Sequence, residues 1–445
     1  MCFAGHEEVS LETPRRANDA YSTSMATDLQ PEGMTGRQSL QIRVYESLDD
    51  LTTLHPAWEE LLSGFPAATI FSTWEWLVPW WRAFGEGQRL MVLGFFDANG
   101  TLVGLAPLAL KRFRAGPGVQ LRSFSMMGDG SQDSENLDIP VCPGYEEDVA
   151  SALLDYLETH AEYWDLCCLN TLPGHSPCGN ALLRQLRRRG WTHFRFSRPG
   201  VVITLPDSWE AYRKLLSYNE RAQLGRYQRR LEKKYKVRFY RCTRESDLDT
   251  CLDALFRLHQ ARWQLEGEAG SFASLARRRF YAEMGRLFLT RGWLEFWLLD
   301  LDGKTVGAEF DFRFRDTVIS LQGGIDPDHW HDRVGYALRG HVLQQCIASG
   351  VRQYDFLGGD GGYKERWAGQ VRNYRDVHFS RPFTRGSLYL RIVAGAGETK
   401  EWLRARLPKW GWSGLHIVNA WLRHSAPAAK PEGSKAVAKS GPKEE

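Results

Sequence analysis

The chain has 445 residues, 43% of them hydrophobic and 12% aromatic, so it is long enough and apolar enough to bury two domain cores. A net charge of +3 is small for this length, which argues against a protein whose whole surface binds nucleic acid. The sequence has no long apolar run and no secretory signal, and its eight cysteines are irregularly placed, so we expect a cytoplasmic protein with reduced cysteines.

Residues 1–36 are polar and show no periodicity, which predicts a disordered N-terminal segment. The first strong pattern is FSTWEWLVPWW, from Phe71 to Trp81, with four tryptophans close together. Aromatic residues at helical spacing usually pack into a core, and stacking of the rings on sugars is the alternative. Further on, Cys168, His175 and Cys178 match no regular zinc-binding spacing, so we predict no metal site.

Two parts of the chain repeat the same order of patterns. DANGTLVGLAPL (Asp97 to Leu108) and DLDGKTVGAEFD (Asp300 to Asp311) each follow an alternating apolar run and turn through Asn-Gly or Asp-Gly, which is typical of a β-hairpin. Downstream of each hairpin, a Gly-Tyr pair precedes a helical pattern and then an aromatic-Asp-apolar strand. The repetition predicts a tandem duplication, with lobes at 37–198 and 199–385. Each lobe is expected to be a twisted mixed sheet flanked by helices, an α/β architecture.

The segment from Glu220 to Arg238 carries eight Lys or Arg against two Glu. Its residues Leu224, Tyr227 and Leu231 are spaced three and four apart, on one face of a helix. The pattern fits an amphipathic helix with a solvated basic side, or a basic surface that meets the phosphates of a cofactor, a lipid or RNA.

In VGAEFDFRF, alternation places Glu309 and Asp311 on the same face of a strand. Two neighbouring carboxylates can raise the pKa of one of them towards the working range of a general base. The corresponding residues of the first half are Ala106 and Leu108, which do not titrate, so the second half is favoured as the catalytic one. A polar, solvent-facing strand side is the competing interpretation. Gln322 on the next strand could orient an acceptor by hydrogen bonding.

The stretch YDFLGGDGGYKERWA, from Tyr354 to Ala368, runs from an apolar strand into four glycines. Gly358 and Gly359 can adopt conformations closed to other residues and let a ligand pass against the backbone. One interpretation is a cleft at the end of this strand. The other is a glycine-rich turn with Trp367 in the core.

The C-terminal part of the chain differs from the body. Residues 386–424 alternate basic and Trp, Leu or Ile positions, which fits an amphipathic helical segment on a membrane surface or packed on the domain. The interruptions at Pro408 and Gly411 favour packing. Residues 425–445 form a low-complexity tail that we predict to be disordered.

These pieces, from about Leu40 to Pro382, carry a family resemblance. The hairpin, the Gly-Tyr helix start and the segments YDFLGGD and GYKERWA resemble the second half of CelD/BcsL-like acetyltransferases, also called BioF-like, of the GNAT superfamily. The tandem layout is similar to that of FemAB-like peptidyltransferases. The resemblance implies tandem GNAT-like domains that move an acyl group from coenzyme A, or an aminoacyl group from tRNA in FemAB-like proteins, to an amine or hydroxyl.

The resemblance also implies where the donor binds, because a GNAT-like site holds pyrophosphate at a helix N-terminus. The family pattern is Arg or Gln, two residues, Gly, one residue, then Gly or Ala. Gly335 and Ala337 match its last positions, whereas Asp332 stands at the first and Arg333 is one place late. The corresponding turn of the first half has three acids at 146–148, which would repel a phosphate, so the second lobe is expected to bind the donor.

Further roles follow from the same resemblance. Glu309 or Asp360 would be the base, Tyr363 would protonate the departing thiolate, and Lys364 would meet phosphate or the oxyanion. Arg262 and Trp263 would border the acceptor pocket. The full expected set is catalytic Glu309, Asp360 and Tyr363; donor-binding Arg333, Gly335, Tyr336, Ala337, Gly358 and Lys364; and acceptor-binding Arg262, Trp263, Asp311, Gln322, Asp355 and Trp367.

We therefore expect an acyl-CoA-dependent acyltransferase, with acetyl-CoA as donor, no metal, and a small-molecule or saccharide acceptor. The resemblance suggests cellulose, exopolysaccharide or cell-envelope synthesis, with a peripheral contact at the inner face of the membrane as an option. One alternative is an aminoacyl-tRNA-dependent peptidyltransferase with the basic helix as RNA contact. The other is a non-catalytic accessory protein of polysaccharide synthesis.

Overall fold

The computed structural model of the protein describes residues 39–116, 118–131, 133–265, 267–358 and 364–406, with positions 365 and 396–406 described by their backbone alone. The strands in these ranges are β1 (Gln41–Tyr45), β2 (Arg89–Phe96), β3 (Leu102–Gly116), β4 (Val119–Met126), β5 (Leu166–Pro173), β6 (Thr192–Thr204), β7 (Val237–Arg241), β8 (Leu294–Leu301), β9 (Lys304–Phe314), β10 (Thr317–Ile325), β11 (Gln353–Gly358) and β12 (Gln370–Ser380). The α-helices are α1 (Leu48–Gly64), α2 (Trp74–Phe84), α3 (Glu146–Thr159), α4 (Pro177–Arg188), α5 (Trp209–Leu215), α6 (Tyr218–Lys234), α7 (Glu245–Leu265), α8 (Leu275–Thr290), α9 (Val334–Ala348) and α10 (Arg385–Arg406). The predicted disordered segments, 1–36 and 425–445, lie outside the described residues.

The described strands form one mixed sheet in the order β1-β2-β3-β4-β5-β12-β6-β11-β10-β9-β8-β7. Within it, β4 pairs with β5 and β10 with β11 in parallel, and the other neighbours are antiparallel. The predicted hairpins are present as β2–β3 and β8–β9. Helices flank this sheet, so the predicted mixed α/β architecture is confirmed.

The two halves of the sheet repeat one order of elements and then exchange their last strands. The series β1, α1, α2, β2, β3, β4, α3, β5 is matched by β7, α7, α8, β8, β9, β10, α9, β11. After that, β12 from the second half lies between β5 and β6, and β6 from the first half lies between β12 and β11. Each half thus completes the sheet of the other.

Strand β6 bears on the predicted division of the chain into lobes. It runs from Thr192 to Thr204, across the position between 198 and 199 where the boundary was expected. Its residues pair with β12 from Thr192 to Val202 and with β11 from Gly200 to Thr204. The lobe boundaries stay a prediction, and the backbone at this position is part of a continuous strand.

The core covers both faces of the second half of the sheet. On one face, Phe296, Phe310 and Phe312 pack with α7, α8 and the helices of the first half. On the other face, Val306 and Tyr354 pack with α5, α6 and α9. Because the middle of β9 is covered on both sides, even its acids Glu309 and Asp311 are removed from water.

The tryptophan stripe of α2 belongs to the core, as predicted. Trp76 and Trp80 are 0% and 1% exposed, and the ring of Trp76 lies 5.2 Å from Phe280 of α8. Their indole N–H groups are hydrogen-bonded: Trp76 donates to Ser134 Oγ and Trp80 to Ser131 Oγ, each at 2.9 Å. The helix therefore also holds the segment that follows β4.

Between Arg385 and Gly395, where its side chains are described, helix α10 packs through one face. Leu390 is buried and the ring of Tyr389 lies 5.5 Å from Phe113 of β3, whereas Leu388 and Ile392 are each 61% exposed. The predicted helical segment at 386–424 is described as far as Arg406. None of the described helices is long and apolar enough to cross a membrane.

Candidate active site

The candidate site is a cleft that opens where β10 and β11 separate. The two strands pair only from Thr317 to Ile319 with Gln353 to Asp355. At the same level, a register irregularity between Ser320 and Gln322 distorts β10. The cavity beyond has a volume of about 570 Å³. No described strand pairs with this edge of β10 beyond Ile319, so its backbone groups can pair with an extended ligand.

Most residues predicted for the site come together here. Those that line the cavity are Arg262, Trp263, Glu309, Gln322, Gly335, Tyr336, Gly358, Lys364 and Trp367. Asp311, Arg333, Ala337 and Asp355 lie on the same elements without lining it. Asp360 and Tyr363 lie outside the described residues, so their predicted roles have no position in the structure.

Glu309 and Asp311 form the polar centre of the site. Both project from β9 towards α9, as alternation predicted, with 5% and 0% exposure, so the solvent-facing interpretation is wrong. Arg339 of α9 approaches Glu309 Oε1 with its Nε at 3.0 Å. Arg339 also donates to Ser320 Oγ at 2.9 Å and to Tyr354 Oη, which in turn donates to Asp311 Oδ2 at 2.6 Å.

The pKa values of both acids are raised towards neutral pH. Burial raises the pKa of Glu309 to about 8, with the Arg339 guanidinium opposing the rise and the Asp311 carboxylate adding to it. Burial likewise raises the pKa of Asp311 to about 6, against Arg339 and the hydrogen bond from Tyr354. Among the described residues, Glu309 Oε2 has no hydrogen-bond partner. Above about pH 8 the carboxylate form of Glu309 therefore predominates, and its Oε2 can accept a proton.

The N-terminus of α9 reaches the cavity at Gly335. The first helical N–H bonds run from Tyr336 and Ala337 to the carbonyl of Arg333, at 3.0 and 3.1 Å. The amides of Val334 and Gly335 precede these bonds, and of the two residues Gly335 lines the cavity, whereas Val334 is buried. A Cβ added at Gly335 would lie 3.2 Å from Ile325 Cγ2, so the glycine keeps this approach clear.

The residues around that helix start are held by α6. Asp332, the acid at the first position of the pattern, is bound by Lys234 Nζ at 3.1 Å and by Tyr235 Oη at 2.8 Å. Tyr336 donates to Glu220 Oε2 at 2.7 Å and stacks on Trp367 with ring centroids 4.6 Å apart. In the first half the first turn of α3 carries three acids at 146–148, and Glu146 Oε2 accepts the N–H of Gly144, just before the helix, at 2.9 Å.

The end of β11 is clamped from two sides. Leu357 adopts a left-handed backbone with φ 60°, an unusual conformation for a residue with a side chain. Lys364 Nζ donates to the carbonyls of Phe356, Leu357 and Gly358 at 2.9, 3.4 and 2.5 Å. The N–H of Gly358 is bound by Glu135. Because the donors of Lys364 are taken by these carbonyls, its contact with a phosphate stays a prediction.

Helix α7 forms another wall of the cleft. Trp263 Nε1 donates to His259 Nε2 at 3.1 Å, and burial lowers the pKa of His259 to about 4. His259 is thus a neutral imidazole at physiological pH. Arg262 and Trp263 line the cavity on this side, next to Gly323 and Gly324 of β10.

Sequence reasoning missed several residues of the cleft, among them Arg339 and Glu135. The sequence could have indicated Arg339, because it lies four residues after Gly335 and interrupts an otherwise apolar stretch of α9. It could not have indicated Glu135, because this residue belongs to the first half and reaches the cleft only through the tertiary fold.

One group of potential metal ligands exists within the described ranges, and it lies away from the cleft. His55, Glu59 and Glu75 bring their ligand atoms within 4.8 Å of one another. Arg291 pairs with Glu59 and, at 2.7 Å, with Glu75, so a guanidinium already balances these carboxylates.

Comparison with known proteins places this geometry in context. Residues 219–365 match the sequence model of the acetyltransferase (GNAT) domain family. No curated protein sequence matches the chain. Among solved structures, the chain is similar to FemX, at 11% identity and a TM-score of 0.51, over 72% of this chain and 95% of that one.

Two further solved structures are similar at lower scores. A conserved protein of unknown function from Bacteroides thetaiotaomicron VPI-5482 has 12% identity and a TM-score of 0.49, over 77% of this chain and 100% of that one. A tandem GNAT protein from the clavulanic acid biosynthesis pathway has 12% identity and a TM-score of 0.43, over 77% of this chain and 99% of that one.

The chain has a tandem GNAT-type fold, as predicted, with the family match on the half that contains the cleft. The match and the fold support an acyltransferase. The narrower CelD/BcsL-like resemblance stays a prediction.

Proposed function

We propose that the protein is an acyl-CoA-dependent acyltransferase, with acetyl-CoA as the expected donor, and that transfer takes place in the cleft of the second lobe. The observation that carries the proposal is that one cavity joins the N-terminus of α9 at Gly335 with the buried carboxyl group of Glu309. Direct transfer from a thioester that bears a pyrophosphate needs both an anion site and a base.

In this proposal the donor lies along the open edge of β10. Its pyrophosphate meets the N-terminus of α9 at Gly335, and its amide-containing arm pairs with the strand edge beyond Ile319. Exposed basic residues of α6, among them Arg226, Arg229 and Lys233, stand on a helix that packs against α9 and can meet further phosphates. The acid-filled start of α3 gives the first half no such anion site.

The acceptor amine or hydroxyl attacks the thioester carbonyl directly. A new bond forms from the acceptor atom to the acyl carbon, the carbon–sulfur bond breaks, and the sulfur leaves as a thiolate with the electron pair. The acceptor proton passes to Glu309 Oε2, and the predicted proton donor to the thiolate is Tyr363. Asp360 remains the alternative base of the prediction. No covalent enzyme intermediate is needed.

The acceptor is proposed as a small molecule or saccharide. A role in cellulose, exopolysaccharide or envelope synthesis, and a contact with the inner face of a membrane, rest on the CelD/BcsL-like resemblance and on sequence pattern alone.

Native mass spectrometry with acetyl-CoA, longer acyl-CoAs and free CoA tests the donor site. The Gly335→Glu variant places a carboxylate where the pyrophosphate should bind, so we expect it to abolish binding. Gly335→Ala is the matched control, because its Cβ meets only Ile325 at 3.2 Å and should leave most binding in place. Absence of thioester binding by the unaltered protein would refute the proposal.

The alternative function is transfer of an aminoacyl group from tRNA, as the FemAB-like resemblance implies. The exposed basic face of α6 favours it, because such a face can contact RNA phosphates. It requires tRNA binding that weakens steeply with salt, together with no binding of acyl-CoA.

A further inference from the structure

A segment of the first half completes the cleft of the second. It lies between β4 and α3, and its residues Asp133 and Glu135 line the same cavity as Glu309. The half that lacks an anion site therefore still contributes carboxylates to the site of its partner lobe.

This segment is held in place from both halves of the molecule. On the first-half side, Trp80 and Trp76 donate to Ser131 and Ser134. On the second-half side, Tyr281 of α8 donates to Asp133 Oδ1 at 2.9 Å, and Arg277 Nε lies 3.0 Å from Asp133 Oδ2. Asp133 is thus held by one hydrogen bond and one ion pair, and the segment that it anchors places Glu135 at the end of β11.

The two oxygens of Glu135 have different surroundings. Oε2 accepts the N–H of Gly358, which fixes the orientation of the carboxylate. Oε1 accepts no hydrogen bond from any described residue. Burial raises the pKa of Glu135, and the hydrogen bond from Gly358 and the ammonium of Lys364 oppose the rise. A hydroxyl or amine group of a ligand can donate a hydrogen bond to Oε1.

We propose that the acceptor is held by two carboxylates, Glu309 of the second lobe and Glu135 of the first, and so carries a second N–H or O–H group beside the one that is acylated. Glu309 Oε2 is buried without a described partner, which is costly for a polar atom. Glu135 is half-buried and lines the same cavity, and no described residue donates a hydrogen bond to its Oε1. An acceptor with two donor groups satisfies both. Amino sugars, amino alcohols and diamines have this chemistry, and simple amines do not.

The inference rests on the proposed function, because it concerns the acceptor of that transfer. The chemical step is unchanged: the reacting group forms the bond to the acyl carbon and gives its proton to Glu309, while the second group only donates a hydrogen bond to Glu135.

The test compares acceptors that share a reacting amine and differ in the second group. Glucosamine is paired with cyclohexylamine, and ethanolamine with ethylamine, each with acetyl-CoA as donor. Because a hydrogen bond to a charged group contributes about 1.5–3 kcal/mol, kcat/KM should favour the bifunctional member of at least one pair by about tenfold or more. Two variants should bring that ratio close to one. Glu135→Gln removes the charge, and Gly358→Ala places a Cβ 2.6 Å from Glu135 Oε1 and displaces the carboxylate.

Neither variant should disturb the backbone, so a change in the ratio can be assigned to the carboxylate of Glu135. Gly358 has no positive φ, so alanine fits its conformation. Glu162→Gln is the matched control, since Glu162 is an exposed glutamate of the same half and should leave the ratio unchanged.

The outcomes separate the two proposals. Loss of the preference in both variants supports the inference. An unaltered protein without any preference, or variants that keep it, would overturn the inference while leaving donor binding intact. Failure of the unaltered protein to bind acetyl-CoA in the mass spectrometer would instead remove the proposed function, and the inference with it.

Discussion

At the scale of single residues, burial raises the pKa of Glu309 to about 8. The shift has a simple cause, because the strand that carries Glu309 is covered on both faces and water does not reach the carboxyl group. Arg339 limits the shift by pairing with one oxygen and leaves the other available. Burial without this partner would raise the pKa of Glu309 further above 8, so its carboxylate would form only at a higher pH.

Activity should therefore depend on pH through Glu309. The base is its carboxylate, and its folded pKa is about 8, so kcat/KM for acyl transfer should rise as pH increases from about 6.5 and level off above 8. Glu309→Gln should lower kcat by about 10²–10⁴-fold and remove this rise. Transfer to glucosamine measured from pH 6 to 9 tests both effects.

The control for this prediction is donor binding, which uses the start of α9 and should survive in Glu309→Gln. A variant that folds, binds donor and retains the pH-dependent rise would show that another group is the base.

The residue scale also shows what local sequence can predict. Alternation along β9 was enough to place Glu309 and Asp311 together, because a strand puts every second side chain on one face. Their burial could not be predicted that way, since it depends on α9 covering a strand that is separated from it by β10. The position of Glu135 in the cleft could not be predicted either, because no local sequence pattern links it to Gly358.

At the scale of elements, the start of α10 packs closely against the backbone just before β5. A Cβ at Gly386 would overlap the carbonyl oxygen of Asp165, just before β5. That carbonyl already accepts the hydroxyl of Ser380 at 2.7 Å, and Arg385 lies 3.0 Å from the Asp165 carboxylate. The glycine allows the helix to begin directly against the sheet.

Gly386→Ala should therefore destabilise the docking of α10. We expect a loss of about 1–3 kcal/mol in the free energy of unfolding, because the backbone on either side must move. Gly395→Ala in the same helix is the matched control: its Cβ would meet nothing within 4 Å, and alanine favours a helix, so stability should stay equal or rise by about 0.5–1 kcal/mol. Hydrogen exchange across 385–406 would locate the change, and equal effects of the two substitutions would contradict the packing argument.

Elements were predictable where turn chemistry marks them. The Asn-Gly and Asp-Gly turns identified both hairpins because these residues adopt the backbone that a tight turn needs. The exchange of β6 and β12 has no such mark. It is decided by which edge each last strand pairs with, and the pairing partners lie far apart in the chain.

At the scale of the whole molecule, the exchanged strands join the lobes into one sheet. β12 hydrogen-bonds to β5 on one side and to β6 on the other, so a strand of the second half joins β6 to the other strands of the first half. The lobes should therefore not be independent folding units.

We expect chemical denaturation to show one transition, coincident by far-ultraviolet circular dichroism and tryptophan fluorescence. A fragment of residues 39–204, which lacks β12, should show no cooperative unfolding of its own. Two separated transitions in the full chain, or a cooperative fragment, would show that the lobes are stable alone.

The exchange also bears on how such a chain can arise. One copy of this lobe leaves a gap beside its fifth strand, and a second copy can fill it with its last strand, which is the arrangement of a domain-swapped homodimer. Fusing the two copies makes that association intramolecular and independent of concentration. Once the copies are joined, each needs the other for its fold. One copy can therefore lose its donor site and still be retained, because the other copy depends on it for its structure.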